Sequence, residues 1–206
     1  MDVADRLDPD RMLMLARAGD DEALGRLLEH YRSYLTVLAR MQIGRRLQGK
    51  ADPADIVQET FLEAHRGFQR FRGASQAELS GWLRQILGGQ LAHLVRRYMR
   101  TKRRDVRLER EMAGDLDHSS QALDYGLVAR GSTPSDRVAR RERAVMLANA
   151  LEQLPEDYRE VLVLRHLEGL TFADVALRMR RSLDSVADRL PAPSGRYAPG
   201  SAAHAG

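Results

Sequence analysis

Apolar residues recur along most of this chain at three- and four-residue steps, the spacing of helices that each bury one face. Asp8 and Pro9 open the first, with Met12, Leu15 and Ala16 as its stripe and Gly19 as its stop. A second start at Asp20 leads through Ala23, Leu24, Leu27, Leu28, Tyr31, Leu35, Leu38 and Ala39, which predicts one long helix as far as Ile43. Residues 44–51, with two glycines and three basic side chains, read as a solvated turn ahead of a loop beside a phosphate backbone. Asp52 then supplies an N-cap, and Pro53 a preset φ at the first helical position, where no backbone donor is needed. In the helix that follows, Val57, Phe61, Ala64, Phe68 and Phe71 share one face, while Asp55, Gln58, Glu59 and Arg66 project from the other. A polar loop over 73–80 precedes a further helix carrying Trp82, Leu83, Ile86, Leu87, Leu91, Leu94 and Val95.

Beyond residue 110 the pattern changes. Three glycines, several serines and a proline with no sustained apolar period make 111–135 read as a linker, and a connector of that length implies two domains rather than one. Helix resumes near Ser135 or Asp136, with one stripe at Val145, Ala148, Leu151 and Leu154 and another at Tyr158, Val161, Leu162, Leu164 and Leu167, up to Gly169. Next comes a helix-turn-helix pattern: Thr171 as N-cap, a helix over 172–179, a turn over 180–182 and a second helix from Leu183. Ala176 stands where the two helices cross and Val186 packs back into the core. The expected fold is therefore all-α, with two small helical domains, 8–110 and 136–190, joined by a flexible linker, the second a helix-turn-helix.

Composition narrows the function classes. Aromatic residues make up only 5% of the chain, which favours helices over strands. The formal charge is only +4, so where the arginines cluster matters more than the total. They gather at the end of the Trp82 helix: Arg96, Arg97, Arg100, Lys102, Arg103 and Arg104, a surface suited to phosphates. With no cysteine, disulfides and thiolate metal sites are excluded, and the six histidines show no ligand spacing, so no metal or cofactor is expected. No Gly-rich phosphate loop, nucleophile elbow or other enzyme signature is present, and no small-molecule substrate or catalytic residue is expected. No apolar run approaches a membrane span and the first residues lack a signal-peptide core, which makes the cytoplasm the expected compartment.

The order DIVQE, an aromatic helix, FRG, a Trp-Leu pair and a basic-ended helix resembles region two of bacterial sigma factors of the extracytoplasmic-function group, and LPEDYREVLVLRHLEGLTFADVA resembles their region four. The resemblance implies a non-enzymatic initiation factor with core RNA polymerase and promoter DNA as partners and an anti-sigma protein as a further candidate. It implies that Asp55, Gln58 and Glu59 dock on the coiled coil of the polymerase's largest subunit. It places the downstream promoter element at the 73–80 loop and the first turns of the next helix, with Trp82, Gln85 and Gln90 as candidates beside the basic run. Trp82 is read as core with one exposed edge. For the upstream element the candidates are Arg181, Ser182, Ser185 and Arg189. The linker would thread the polymerase near its RNA exit path.

The sequence departs from that family at three places. A polar position the family often fills with asparagine is Gly89, Arg180 occupies the turn position usually given to glycine, and the second helix meets Pro191 and Pro193 in a Pro/Gly/Ala tail over 191–206. That tail reads as a truncated or out-of-frame end, with a naturally short, disordered end as the alternative. Two rivals stand beside the sigma reading. A helix-turn-helix regulator that acts without polymerase leaves 52–71 unexplained, and a helical adaptor that binds only protein treats the basic run as solvated surface.

Overall fold

The structure, a computed structural model, describes residues 8–47, 51–98, 106–125 and 134–188. Among these every regular element is a helix, and the chain divides into two compact units, Met1–Leu154 and Pro155–Gly206.

In the first unit, α1 (Pro9–Arg17) and α2 (Asp21–His30) begin at the caps their sequences provide: Asp8 accepts from the Asp10 N–H and Asp20 from that of Ala23. The long helix predicted from Asp20 is broken at Tyr31, whose N–H turns back to the Leu28 carbonyl, and α3 (Arg32–Leu47) starts afresh. Its last turns take up part of the expected 44–51 turn, and residues 48–50 lie outside the described ones. At the break Tyr31 and Tyr34 lie edge to face, 6.3 Å apart, both fully buried. From Tyr34 to Ile43 α3 is buried on almost every side, as suits a central helix on which others pack.

α4 (Pro53–Gly67), capped by Asp52, lays Ile56, Val57, Phe61 and Ala64 against that core. The stripe expected to run on to Phe71 stops short of it. The helix ends at Gly67, a single 3-10 turn (Phe68–Arg70) follows, and Phe71 is extended, so its ring stacks on Phe68 and Trp82 instead of continuing the helical face. The predicted 73–80 loop is shorter too: α5 (Gln76–Tyr98) already includes 76–80, with Gln76, Leu79 and Ser80 buried. Residues 99–105 lie outside the described ones.

The expected linker is the largest difference. Residues 106–125 form α6 (Val106–Tyr125), which packs on α5 and α3. Met112, Leu116 and Leu123 are buried, as are Ser119 and Ser120 between them. α6 approaches α5 closely at Gly88, where an added Cβ would stand 3.4 Å from Leu116 Cδ1 and 3.5 Å from the Ala113 nitrogen. The remainder of the predicted linker, 126–133, lies outside the described residues. α7 (Pro134–Glu152) buries Ala144, Val145, Ala148 and Leu151 and packs on α3 and α6, so it belongs to the first unit rather than to the helix-turn-helix.

The second unit contains α8 (Glu156–Leu162), a π-helical stretch (Val163–Leu167), α9 (Phe172–Met179) and α10 (Leu183–Ala187). Val161, Leu164, Val175, Ala176 and Val186 form its core, with Leu170 and Met179 packed against it. Thr171 caps α9 through a reciprocal box with Asp174. Arg180 sits at φ 54°, ψ 44°, the left-handed conformation expected of that turn. Arg189 and residues 190–206, including the tail, lie outside the described residues.

Candidate polymerase and nucleic-acid surfaces

Helical spacing decides what α4 shows to its surroundings. With Ile56, Val57, Thr60, Phe61 and Ala64 turned inward, Asp55, Gln58 and Glu59 form one exposed polar face, and Leu62, 41% exposed, adds an apolar spot beside it. Buried Thr60 does not disturb the helix, because its hydroxyl donates to the Ile56 carbonyl at 2.8 Å. The result is a rigid acidic and amide surface with one apolar centre, able to accept hydrogen bonds from a basic partner.

The loop at 71–75 is held from several directions. Inside, the Phe71 ring lies 5.0 Å from that of Trp82 and 5.8 Å from that of Phe68. At Gly73 any side chain is excluded, since a Cβ there would stand 2.3 Å from Phe71 Cζ and 2.8 Å from Glu78 Cβ. On the outer side Glu78 Oε2 accepts from the Ala74 N–H at 2.9 Å, the Ser75 hydroxyl at 2.9 Å and the Ser75 N–H at 3.1 Å, while the Ser75 hydroxyl accepts from the Glu78 N–H at 3.3 Å. This reciprocal cap starts α5. The Ala74 N–H, followed by the Ser75 hydroxyl, holds the Glu78 carboxyl below the usual carboxylate range, and the Arg17 charge adds to the effect. Arg17, from α1, donates through Nη1 to the Gly73 carbonyl at 3.1 Å.

From this loop an outward stripe runs along α5. At 3.6 residues per turn Trp82, Gln85, Gly89, His93 and Arg96 share one side. Trp82 is half-buried, with its indole against Phe68 and Phe71 and an edge toward the surface, whereas Gln85, His93 and Arg97 are exposed and Gly89, Gln90 and Arg96 lie partly exposed. No side chain stands within 4 Å of where a Gly89 Cβ would be, so the stripe is open there. Gln85 and Arg97 are separated by about 18 Å of helix, at 1.5 Å per residue. No carboxylate interrupts that span. Such a stripe, with an aromatic edge at one end and arginines at the other, has the chemistry to meet the bases and backbone of a nucleic-acid strand. Arg100, Lys102, Arg103 and Arg104, the rest of the predicted basic run, lie outside the described residues.

In the second unit the predicted site residues occupy the turn and the first turn of α10. Arg181 pairs with Asp157 at 3.2 Å, tying the turn to α8. The Ser182 hydroxyl accepts from the Ser185 N–H at 3.3 Å and so caps α10, which leaves it a donor but occupies its oxygen. Ser185 is partly exposed on that first turn.

Two surface residues fall outside the set that the sequence points to. His93 follows from the same helical arithmetic that finds Gln85 and Arg96. Arg17 does not, because only the fold brings it to Gly73, 56 residues away. Among the described residues there is no cluster of three or more metal-ligating side chains, and no helix is long and apolar enough to cross a membrane.

Comparison with known proteins shows two family matches. Residues 27–104 match Sigma-70 region 2, and residues 144–190 match region 4 of Sigma-70, beginning within α7. The chain is 26% identical over 189 residues to the ECF RNA polymerase sigma-E factor of Haemophilus influenzae, covering 91% of this chain and 92% of that protein. It is 30% identical over 173 residues to the RNA polymerase sigma-H factor of Pseudomonas aeruginosa, covering 84% and 82%. To the ECF RNA polymerase sigma-E factor of Escherichia coli it is 25% identical over 189 residues, 91% of each chain.

Proposed function

This chain belongs to the extracytoplasmic-function group of the sigma-70 family, and from that membership we propose how its residues divide the work of a factor that binds core RNA polymerase and directs promoter recognition and transcription initiation. It binds and positions, and catalyses no step itself. The α4 face of Asp55, Gln58 and Glu59 docks on the coiled coil of the polymerase's largest subunit. Loop 71–75 and the α5 stripe, with Trp82, Gln85 and Arg96, take the downstream promoter element, Gln90 and Arg97 add to it from the flank of the stripe, and Arg100, Lys102, Arg103 and Arg104 are assigned to phosphate contacts with the same DNA. The helix-turn-helix addresses the upstream element through Ser182, Ser185 and Arg189, with Arg181 anchoring the turn. The division of labour follows the two units, Met1–Leu154 for polymerase and downstream element and Pro155–Gly206 for the upstream element. An anti-sigma protein is a candidate regulator, and the cytoplasm, where polymerase and promoters meet, is the working compartment.

The observation that carries this reading is the pairing on two packed helices of an exposed acidic and amide face with an exposed stripe free of carboxylates from Gln85 to Arg97. One suits a protein docking surface and the other a polyanion. The test is capture of core polymerase by the full chain. The double reversal Asp55→Lys and Glu59→Lys should weaken capture by about tenfold or more, with an unchanged circular dichroism spectrum. Undiminished capture would remove α4 from the interface. Failure of the unaltered chain to hold core polymerase would favour a helix-turn-helix regulator that works without it.

A further inference from the structure

We propose that Arg17 is a positioning residue for base capture: from α1 it locks loop 71–75 through the Gly73 carbonyl, so that a promoter base meets a backbone already set in its bound form. The inference rests on the reading of this loop as part of the downstream-element surface, takes the loop as the part of that surface that receives a base, and adds to it a residue on a different helix.

The loop is short and irregular, and each of its anchors restrains a different group. Phe71 holds the side-chain entry by stacking on Trp82 and Phe68. Gly73 permits a backbone path that any Cβ would block. Glu78 takes the N–H groups of Ala74 and Ser75. The Gly73 carbonyl, between the Phe71 anchor and the Glu78 anchor, receives the Arg17 Nη1 donor at 3.1 Å. Without that bond the peptide joining Gly73 to Ala74 keeps its donor fixed on Glu78 while its acceptor side is released. Ordering a loop on binding costs free energy that a preset loop avoids, so the penalty should fall on what the loop itself touches and not on the phosphate contacts along α5.

Two plainer roles compete. Arg17 lies in the last turn of α1, where a cation is favoured by the helix dipole. It is also an exposed cation near a nucleic-acid surface and so a candidate phosphate contact. A dipole role needs no acceptor 56 residues away, and a phosphate role would use the guanidinium donors that the single Nη1 bond to Gly73 leaves over, so the salt slope separates it from positioning.

The experiment uses holoenzyme assembled from the full chain and core polymerase. Its probe is a fork-junction DNA whose single-stranded downstream element has been selected by that holoenzyme from a randomised segment, together with copies carrying one abasic site at each position. With the unaltered chain, one abasic position should reduce affinity by about tenfold or more. Arg17→Ala should abolish most of the penalty at that position alone, leaving core affinity and the salt slope unchanged, and Arg17→Lys should restore part of it, because lysine keeps charged N–H donors but not the planar fork. Glu78→Ala, which removes the acceptor of the Ala74 and Ser75 N–H groups and so loosens the same loop from its other side, should lose the same discrimination and guards against a folding defect peculiar to Arg17→Ala. If both variants keep the full abasic penalty, Arg17 does not position the loop although the loop still reads a base. If Arg17→Ala weakens binding to every DNA equally and lowers the salt slope, Arg17 is a phosphate contact. If no abasic position affects the unaltered holoenzyme, the loop reading fails and this inference with it.

Discussion

The Tyr34 hydroxyl lies 2.8 Å from Ser120 Oγ, joining the first turn of α3 to α6 across 86 residues of sequence. Tyr34 is fully buried, and Arg84 Nη1 donates to the same hydroxyl at 3.2 Å while its Nε donates to Asp117 at 2.9 Å. Further along α3, Gln42 Nε2 donates to Ser119 Oγ at 3.1 Å. The buried side of α6 is therefore held by hydrogen bonds as well as by Met112, Leu116 and Leu123.

Tyr34→Phe should lower the stability of the first unit by about 1–3 kcal/mol, the usual cost of removing one partner from a buried hydrogen-bonded group. Ser120, only 2% exposed, loses its bond to Tyr34, and Arg84 loses one acceptor. Urea titration of the full chain checks this, and limited proteolysis should show α6 cleaved sooner. Unchanged stability would mean that the apolar packing of α6 suffices.

The same network explains what the sequence does and does not reveal. Helix starts are legible because Asp8, Asp20, Asp52 and Thr171 carry their own chemistry, each side chain accepting a backbone N–H of the first turn. Within the second unit the helix-turn-helix is legible almost to the residue, since the cap at Thr171, small Ala176 and Val186 are local signals and the core there is apolar. α6 is not, because two of its inward positions are Ser119 and Ser120, which break the apolar period and hydrogen-bond to Gln42 and Tyr34 of α3. The break at Tyr31 is hidden because both sides of it are apolar at helical spacing, so the pattern runs through it without a stop signal. The exposed face of α4 follows from helical period alone, whereas the Arg17 bond to Gly73 depends on tertiary proximity that no local pattern encodes.

Phosphate contacts along α5 should appear as salt dependence. Replacing Arg96 and Arg97 by alanine should reduce the slope of log affinity against log salt by roughly 0.7–0.9 for each phosphate no longer neutralised, single strands at the lower value and duplex at the higher. Fork-junction DNA titrated with holoenzyme at several salt concentrations provides the measurement. An unaltered slope would place these two arginines away from the backbone, with the strand held elsewhere.

His30, at the end of α2, stacks edge-on against Tyr31 at 5.2 Å. Burial holds its imidazole below the ordinary range, with Glu142 opposing the shift. As pH falls below about 6.5 the unfolded chain takes up a proton at this residue, while the native state resists it. Stability from this residue is complete above the ordinary imidazole pKa and declines as pH drops toward the lowered native value. His30→Gln should remove that part of the decline. Urea midpoints for both chains, measured on either side of the ordinary imidazole pKa, test it, and equal changes in the two would show that other groups govern the loss.

Arg180 is the one described non-glycine residue with positive φ, and it stands in the turn between α9 and α10. Its N–H bonds to the Leu177 carbonyl at 3.2 Å and that of Arg181 to the Ala176 carbonyl at 2.9 Å, so the turn closes α9 by a left-handed cap that needs the conformation but not the side chain. A Cβ there costs on the order of 1 kcal/mol, which glycine avoids. Arg180→Gly should therefore raise the opening free energy of the second unit by about 0.5–1 kcal/mol, less what glycine loses through its freer unfolded chain. Amide hydrogen exchange of Val175 and Val186 in the full chain reads this directly. Because the substitution also removes an exposed cation, Arg180→Ala serves as its partner: it removes the same charge and keeps the Cβ. If the two variants bind upstream DNA alike but only glycine slows exchange, the strain is real and the charge effect is separate. If glycine gives no slower exchange than alanine, the left-handed turn is not a source of strain, and Arg180 contributes through its side chain.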